Sequence, residues 1–173
     1  DEVDYDNCHA LTERDWRSVA RALRTGQTVT CFSATNCALR SPVISSLVSR
    51  GLSQTPLLTK LFLHNNEIGN AGAEVIAAIM KGQVFLAMLN LSHNHIGSPG
   101  ATSLARAIKY NRTTQWLQLD GNHVGREGRA QLIAARIAHL YLDQDGSSQT
   151  PVVHNMGREC SSETPHTCNG SCK

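Results

Sequence analysis

The sequence predicts one α/β domain in which parallel strands and helices alternate along a short solenoid. A segment of 28 residues occurs three times in register, starting at residues 58, 86 and 114. Within each copy, leucines first alternate with other residues, which is typical of a strand, and apolar residues then follow at helical spacing. A unit of this length cannot bury its own apolar face, so neighbouring units must stack on one another.

The repeated positions set the boundaries of the units. Leu61, Leu89 and Leu117 are equivalent strand residues, and Phe32 takes the same place in a weaker copy 29 residues earlier. We therefore divide the chain into six segments: an N-terminal segment 1–28, the repeats 29–57, 58–85, 86–113 and 114–142, and a polar, Cys-containing tail 143–173.

The N-terminal segment contains an amphipathic helix over residues 12–25. Thr12 is a capping residue, and Asp15 stands three places on, as in a capping box. Trp16, Val19 and Leu23 form the apolar face of this helix. We expect segment 1–28 to be a helical cap that covers the open edge of the first repeat.

One residue in each repeat turns the chain inward after the strand. Its side chain would be buried and must bond to backbone groups of adjacent turns, because an unpaired buried amide costs roughly 1–3 kcal/mol. The sequence predicts a ladder of four such residues: Cys37, Asn66, Asn94 and Asn122.

A helix follows the turn in each repeat. Asn70 and Ser98 are predicted N-caps, and Pro99 fits the first helical position. The last helix is predicted over about 127–140. Leu140 and Leu142 then begin a further strand before the apolar pattern stops.

The pattern L-x-x-L-x-L-x-x-N/C-x-L, continued by I-G-x-x-G-A, resembles the leucine-rich repeat of the ribonuclease-inhibitor-like class. The resemblance covers about residues 29–142. It implies a short horseshoe arc with a parallel sheet on the concave face and helices on the convex face. It also implies a protein-binding module and no enzymatic activity, since partners usually dock on the concave face of these proteins.

The residues between the strand leucines would face the concave side. Phe62, Met88 and Trp116 form a diagonal of aromatic and polarizable side chains, the kind that anchors protein contacts. The predicted partner-binding residues are Lys60, Phe62, His64, Met88, Ser92, Trp116, Gln118 and Asp120.

Composition excludes several other functions. A net charge of +2 is too weak for a nucleic-acid-binding surface. No apolar run approaches the roughly 18–20 residues of a membrane span. We find no catalytic motif, expect no cofactor, and attribute the equivalent residues His95 and His123 to solvent-facing loops, with no metal site.

The cysteines favour an extracellular location, and three sequons are candidates for glycans. Three cysteines lie in the polar tail, which could not bury free thiols, and disulfides form in oxidising compartments. We see no signal peptide in the acidic opening residues, and a processed chain would look the same. The disulfide candidates are Cys8, Cys31, Cys37, Cys160, Cys168 and Cys172. The candidate N-glycosylation sites are Asn90, Asn111, which follows a helix in a loop, and Asn169.

Three functions are consistent with these features. The main prediction is a secreted, glycosylated and disulfide-bonded scaffold that binds protein. An alternative is a structural subunit of an extracellular filament, in which the tail bridges head-to-tail copies, because a solenoid leaves two sheet edges exposed. A second alternative is a cytoplasmic regulator of the ribonuclease-inhibitor-like kind.

Overall fold

Six short strands and five helices alternate along the part of the chain that the structure describes. The computed structural model describes residues 1–25, 28–82 and 85–143. The strands are β1 (Glu2–Asp4), β2 (Cys31–Ser33), β3 (Lys60–Phe62), β4 (Met88–Asn90), β5 (Trp116–Gln118) and β6 (His139–Tyr141). The helices are α1 (Glu13–Leu23), α2 (Ser41–Arg50), α3 (Asn70–Met80), α4 (Ser98–Tyr110) and α5 (Arg126–Ala134), and a 3₁₀ helix (Leu52–Gln54) follows α2.

The strands form one parallel sheet in chain order, β1-β2-β3-β4-β5-β6. Consecutive helices from α1 to α5 pack side by side on one face of this sheet. This architecture confirms the predicted leucine-rich-repeat arc, with the sheet on the concave side and the helices on the convex side. Within the described ranges, no helix is long and apolar enough to cross a membrane.

A continuous hydrophobic spine joins the units. Strand register places Phe32 opposite Leu61, Leu61 opposite Leu89, Leu89 opposite Leu117, and Leu117 opposite Leu140. All five side chains are fully buried or nearly so. Burying a side chain of this size contributes roughly 2 kcal/mol, so each unit depends on its neighbours for its stability.

The N-terminal segment is more than the predicted helical cap, because it also contributes a strand. Helix α1 begins with the expected capping box between Thr12 and Asp15. Upstream of it, β1 pairs with β2 and places Val3 opposite Phe32. The segment is therefore a degenerate repeat that extends the sheet by one strand.

The asparagine side chains bind backbone groups of two adjacent units. Asn94 Oδ1 accepts the Ile68 N–H at 3.0 Å. Its Nδ2 donates to the carbonyls of Leu63, Leu91 and Ser92 at 3.0, 3.1 and 3.2 Å. Two other amides make equivalent bonds within and between units: Asn66 and Asn122.

Cys37 takes the ladder position in the repeat that precedes Asn66. Its Sγ lies 3.0 Å from the Tyr5 carbonyl and 3.2 Å from the Thr35 carbonyl. Cys37 is a buried free thiol, so its prediction as a disulfide candidate is wrong in this structure. The thiol is enclosed between two units and bonds to their backbone.

A column of residues in the left-handed region precedes the ladder. This conformation suits asparagine and glycine, whereas other residues adopt it at a cost. At Gly121 an added Cβ atom would overlap the His93 ring, so close packing also favours glycine there. The column consists of Asn7, Asn36, Asn65, His93 and Gly121.

The prediction of Asn70 and Ser98 as N-caps is wrong by one residue. Their side chains contact the next unit instead. Gly69 and Gly97 are the N-cap residues, and neither has a capping side chain of its own. Instead, Asn70 Oδ1 accepts the N–H groups of Gly97 and Gly100 in the next unit, at 2.8 and 3.1 Å. Two serines make the same kind of contact with the following unit: Ser41 to Gly69 and Ser98 to Gly125.

The last helix is shorter than predicted. Helix α5 ends at Ala134, and Arg136 then has a φ of +55°. A residue in this conformation cannot continue a right-handed helix, so the chain turns and enters β6 at His139.

The ladder predicts a large loss of stability on removal of one amide. Asn94→Ala leaves at least two buried backbone groups unpaired, so the free energy of unfolding should fall by about 3 kcal/mol. Urea titrations followed by tryptophan fluorescence would measure this loss. Glu74→Ala, on the exposed side of α3, is the matched control and should change stability little. A loss at Asn94 no larger than that of the control would contradict the ladder.

Candidate protein-binding surface

The concave sheet face is built from the residues that flank each buried strand residue. One column runs through Lys60, Met88, Trp116 and His139, as the strand pairing shows. A second column runs through Phe62, Asn90, Gln118 and Tyr141. The central residues of these strands are fully buried on the other side of the sheet, so the two columns are the part of each strand that meets solvent.

The predicted binding residues differ in how much surface they offer. Lys60 is exposed. Ser92 is buried, and its hydroxyl donates to Asn90 Oδ1 at 2.8 Å, so it offers almost no surface to a partner. The remaining members are half-buried: Phe62, His64, Met88, Trp116, Gln118 and Asp120.

An aromatic cluster occupies the C-terminal end of the concave face. The Trp116 ring lies 5.0 Å from the Tyr141 ring at an interplanar angle of 25°, and 4.9 Å from the His139 ring at 34°. Trp116 Nε1 is buried and has no hydrogen-bond partner among the described residues. The stacked rings give a partner protein a rigid apolar contact.

Sequence reasoning missed two members of this aromatic cluster, His139 and Tyr141. Leu140 and Leu142 alone predicted the strand that carries them. The alternation of that strand also places His139 and Tyr141 on the concave face, and this signal was not used. Burial raises the pKa of Tyr141, which keeps its hydroxyl protonated at neutral pH.

Carboxylates occupy the opposite end of the same face. Glu2 and Asp4 extend the two columns on β1, and Asp6 follows them. Asp4 Oδ1 accepts the Asp6 N–H at 2.8 Å, while Asp6 Oδ1 accepts the Thr35 N–H at 2.9 Å. Burial is the main cause that raises the pKa of Asp4, and the charges of Asp6 and Glu2 act in the same direction.

Histidines occur at the edge of the face without forming a metal centre. His95 and His123 stack with ring centroids 6.1 Å apart, and His93 lies 3.7 Å from Asp120. Burial lowers the pKa of His64. Across residues 1–25, 28–82 and 85–143, no three His, Cys, Asp or Glu side chains converge as metal ligands.

The sequons have different environments. Asn111 is buried at 7% exposure, its Nδ2 donates to the Met80 carbonyl, and its Oδ1 accepts the Thr113 N–H. A glycan attaches to this nitrogen and needs solvent around it, so the structure contradicts the prediction at Asn111. Asn90 is half-buried and stays a prediction, whereas Asn169 lies outside the described residues.

The other cysteines among the described residues differ in state. Cys8, half-buried one unit before Cys37, is disulfide-bonded, and Cys31 is buried on β2. Burial raises the pKa of the Cys37 thiol to about 11, so it is protonated at neutral pH. Three predicted disulfide candidates lie outside the described residues: Cys160, Cys168 and Cys172.

Comparisons with known proteins agree with this architecture. A family model described as leucine-rich repeat matches residues 56–77 and 86–105. No curated protein matches the chain in sequence. The repeats and the fold together define a leucine-rich-repeat protein.

Two solved structures are similar to this chain in fold. A structure of leiomodin-1 actin-binding site 2 has a TM-score of 0.65 and 22% identity, over 78% of this chain and 77% of that one. The tropomodulin C-terminal domain of Caenorhabditis elegans has a TM-score of 0.58 and 17% identity, over 78% of this chain and 80% of that one. At these identities the likeness establishes the fold.

The raised pKa of Asp4 predicts a pH-dependent cost to folding. The folded state binds this proton more tightly than the unfolded state, so stability falls as pH rises from about 3.8 through the folded pKa. Asp4→Asn keeps the Oδ1 acceptor and removes the charge. It should therefore raise stability at pH 7 and change it little at pH 3.

Urea titrations of the wild type, Asp4→Asn and the exposed control Glu74→Gln at both pH values would measure this difference. An Asp4→Asn protein less stable than the wild type at pH 7 would show that the Asp4 charge supports the fold.

Proposed function

We propose that this protein is a non-enzymatic scaffold that binds a partner protein on its concave sheet face. The observation that carries the proposal is the stack of the half-buried Trp116 ring on Tyr141 and His139. Aromatic residues held rigidly in this way lose little entropy on binding and dominate the energy of many protein interfaces.

The concave face is also graded in charge along its length. Its β1 end carries Glu2, Asp4 and Asp6, whereas its β6 end carries the aromatic cluster. A partner would therefore bind in one orientation, with an apolar patch over Trp116 and neutral or basic groups over β1. Complementary charges of this kind fix orientation and association rate more than they increase affinity.

Actin is the partner that we propose to test first. The similar structure of leiomodin-1 is described as an actin-binding site, and the alignment covers most of both chains. The proposal concerns the surface as well as the partner, since a fold shared at 22% identity does not by itself carry a binding site with it.

The intracellular alternative is better supported than the extracellular one. The sequon residue Asn111 is buried and bonded, which argues against a glycan there. The free thiol of Cys37 fits an intracellular location, whereas the disulfide at Cys8 favours the extracellular one. The tail that would bridge copies in a filament lies outside the described residues, so head-to-tail assembly stays a prediction.

Substitution of Trp116 should separate this surface from the rest of the molecule. Trp116→Ala should weaken binding to purified actin by about thirtyfold, the effect of removing a central aromatic anchor. Trp116→Phe keeps a ring and removes the N–H, so it should cause a smaller loss. Tyr110→Ala removes an aromatic side chain that is 77% exposed at the end of α4, and it should leave affinity unchanged.

Binding would be measured by fluorescence anisotropy with monomeric actin and by co-sedimentation with filaments, after circular dichroism has shown each variant to be folded. Absence of wild-type binding to both forms would refute actin as the partner. Binding that Trp116→Ala leaves intact would refute the concave face as the surface.

A further inference from the structure

A second candidate surface lies where α4 and α5 end and the chain passes towards β5 and β6. A cavity of about 480 Å³ separates these two connections. Three cationic side chains line it, Lys109, Arg112 and Arg136, and we refer to it by these residues as the basic groove. None of the concave-face residues contributes to its lining.

Among the described residues, no carboxylate neutralises the charges of the basic groove. No carboxylate lines the cavity. Ion pairs elsewhere in the described part of the chain join Arg17 to Glu13 and Arg40 to Glu67, and none includes a residue of the basic groove. Like charges placed together repel one another, so an anionic ligand would relieve a cost that the fold carries.

The other polar residues of the lining are bonded to described residues, whereas the three cations have no hydrogen-bond partner among these. Asn111 Oδ1 accepts the N–H groups of Thr113 and Thr114, and the Thr114 hydroxyl donates to the Leu86 carbonyl at 2.9 Å. The rest of the lining is apolar and consists of Ile108, Ala135 and Ile137. The basic groove would therefore recognise a ligand by its negative charge and by contact with a small aliphatic surface.

The backbone at Arg136 supplies a second, independent observation. Its φ of +55° is a left-handed conformation, and the residue stands just after a helix, where glycine is the usual choice. It does not belong to the column of left-handed residues that precedes the ladder. The left-handed turn at Arg136 lies at the cavity that Lys109 and Arg112 also line, so all three cations meet there.

We propose that the basic groove binds an acidic segment of a partner protein. Arg112 and Arg136 would pair with carboxylates, which match the planar guanidinium group. An aliphatic side chain of the same segment would lie on Ile108 and Ile137. A single phosphate would fill only a small part of this volume, and no aromatic ring lines the cavity to stack a nucleotide base.

A peptide of defined composition tests this proposal without knowledge of the partner. The probe is a fluorescein-labelled hexapeptide of glutamate and leucine, and its glutamine analogue is the uncharged control. Anisotropy at low ionic strength should show binding of the acidic peptide alone. Arg112→Gln and Arg136→Gln should each weaken it about fivefold, and the exposed control Arg106→Gln less than about twofold.

Arg136→Gly distinguishes a binding role from a structural one. Because glycine adopts this φ without strain, the substitution should raise the thermal midpoint while it weakens peptide binding. A lower thermal midpoint would show that Arg136 serves the fold, for example by offsetting the dipole of α5, and would overturn the proposal.

Three further outcomes would overturn it. One is equal binding of the acidic peptide and its glutamine analogue. Another is an equal loss of binding in Arg106→Gln and Arg112→Gln. The last is tighter binding to phosphatidylserine vesicles than to the peptide, with the same dependence on Arg112 and Arg136. Since Trp116→Ala leaves the basic groove intact, the outcome here is separate from that for the concave face.

Discussion

The turn after each strand buries backbone amides and carbonyls that neither the sheet nor the helix can satisfy. A side-chain amide such as that of Asn94 resolves this because it offers both donor and acceptor groups in one rigid plane. Some of its bonds reach the preceding unit. The same contacts that pay the cost of burial therefore also fix the distance and rotation between neighbouring units.

The concave surface follows from that fixed geometry. Once the units are held in register, Leu89 and Leu117 align within the core, and the residues beside them align on the outside. Trp116 meets His139 and Tyr141 because the strands repeat at a constant spacing. The solenoid thus places side chains from distant parts of the sequence side by side, and differences between the units give the surface its acidic end and its aromatic end.

Much of the fold was predictable because its signals are local and repeated. Alternating leucines predicted the strands, and the asparagine spacing predicted the ladder. Strand β1 was missed because Val3 stands in place of a leucine and Cys8 in place of the asparagine. The pair Asn7-Cys8 does match Asn36-Cys37 at a spacing of 29, and this was the available signal.

Other features depend on contacts that no short segment of sequence contains. Asn111 looks like a loop sequon, yet it is buried because its amide reaches Met80 of the preceding helix. The end of α5 was misplaced because Arg136, and not a glycine, occupies the left-handed position. The side chains of His139 and Tyr141 are both apolar and polar, so hydrophobic patterning does not assign them to a face. The register of β6 with β5 places them on the concave face.

The contact of Asn70 with Gly97 and Gly100 gives the arc a polarity. The starts of α3, α4 and α5 are each completed by a side chain of the preceding unit. The ladder amides act in the opposite direction, because Asn122 binds the Ile96 N–H of the unit before it. Loss of the unit that carries α5 would therefore leave the earlier helix starts intact and unpair a backbone group in the turn of its neighbour, so each inner unit depends on both of its neighbours.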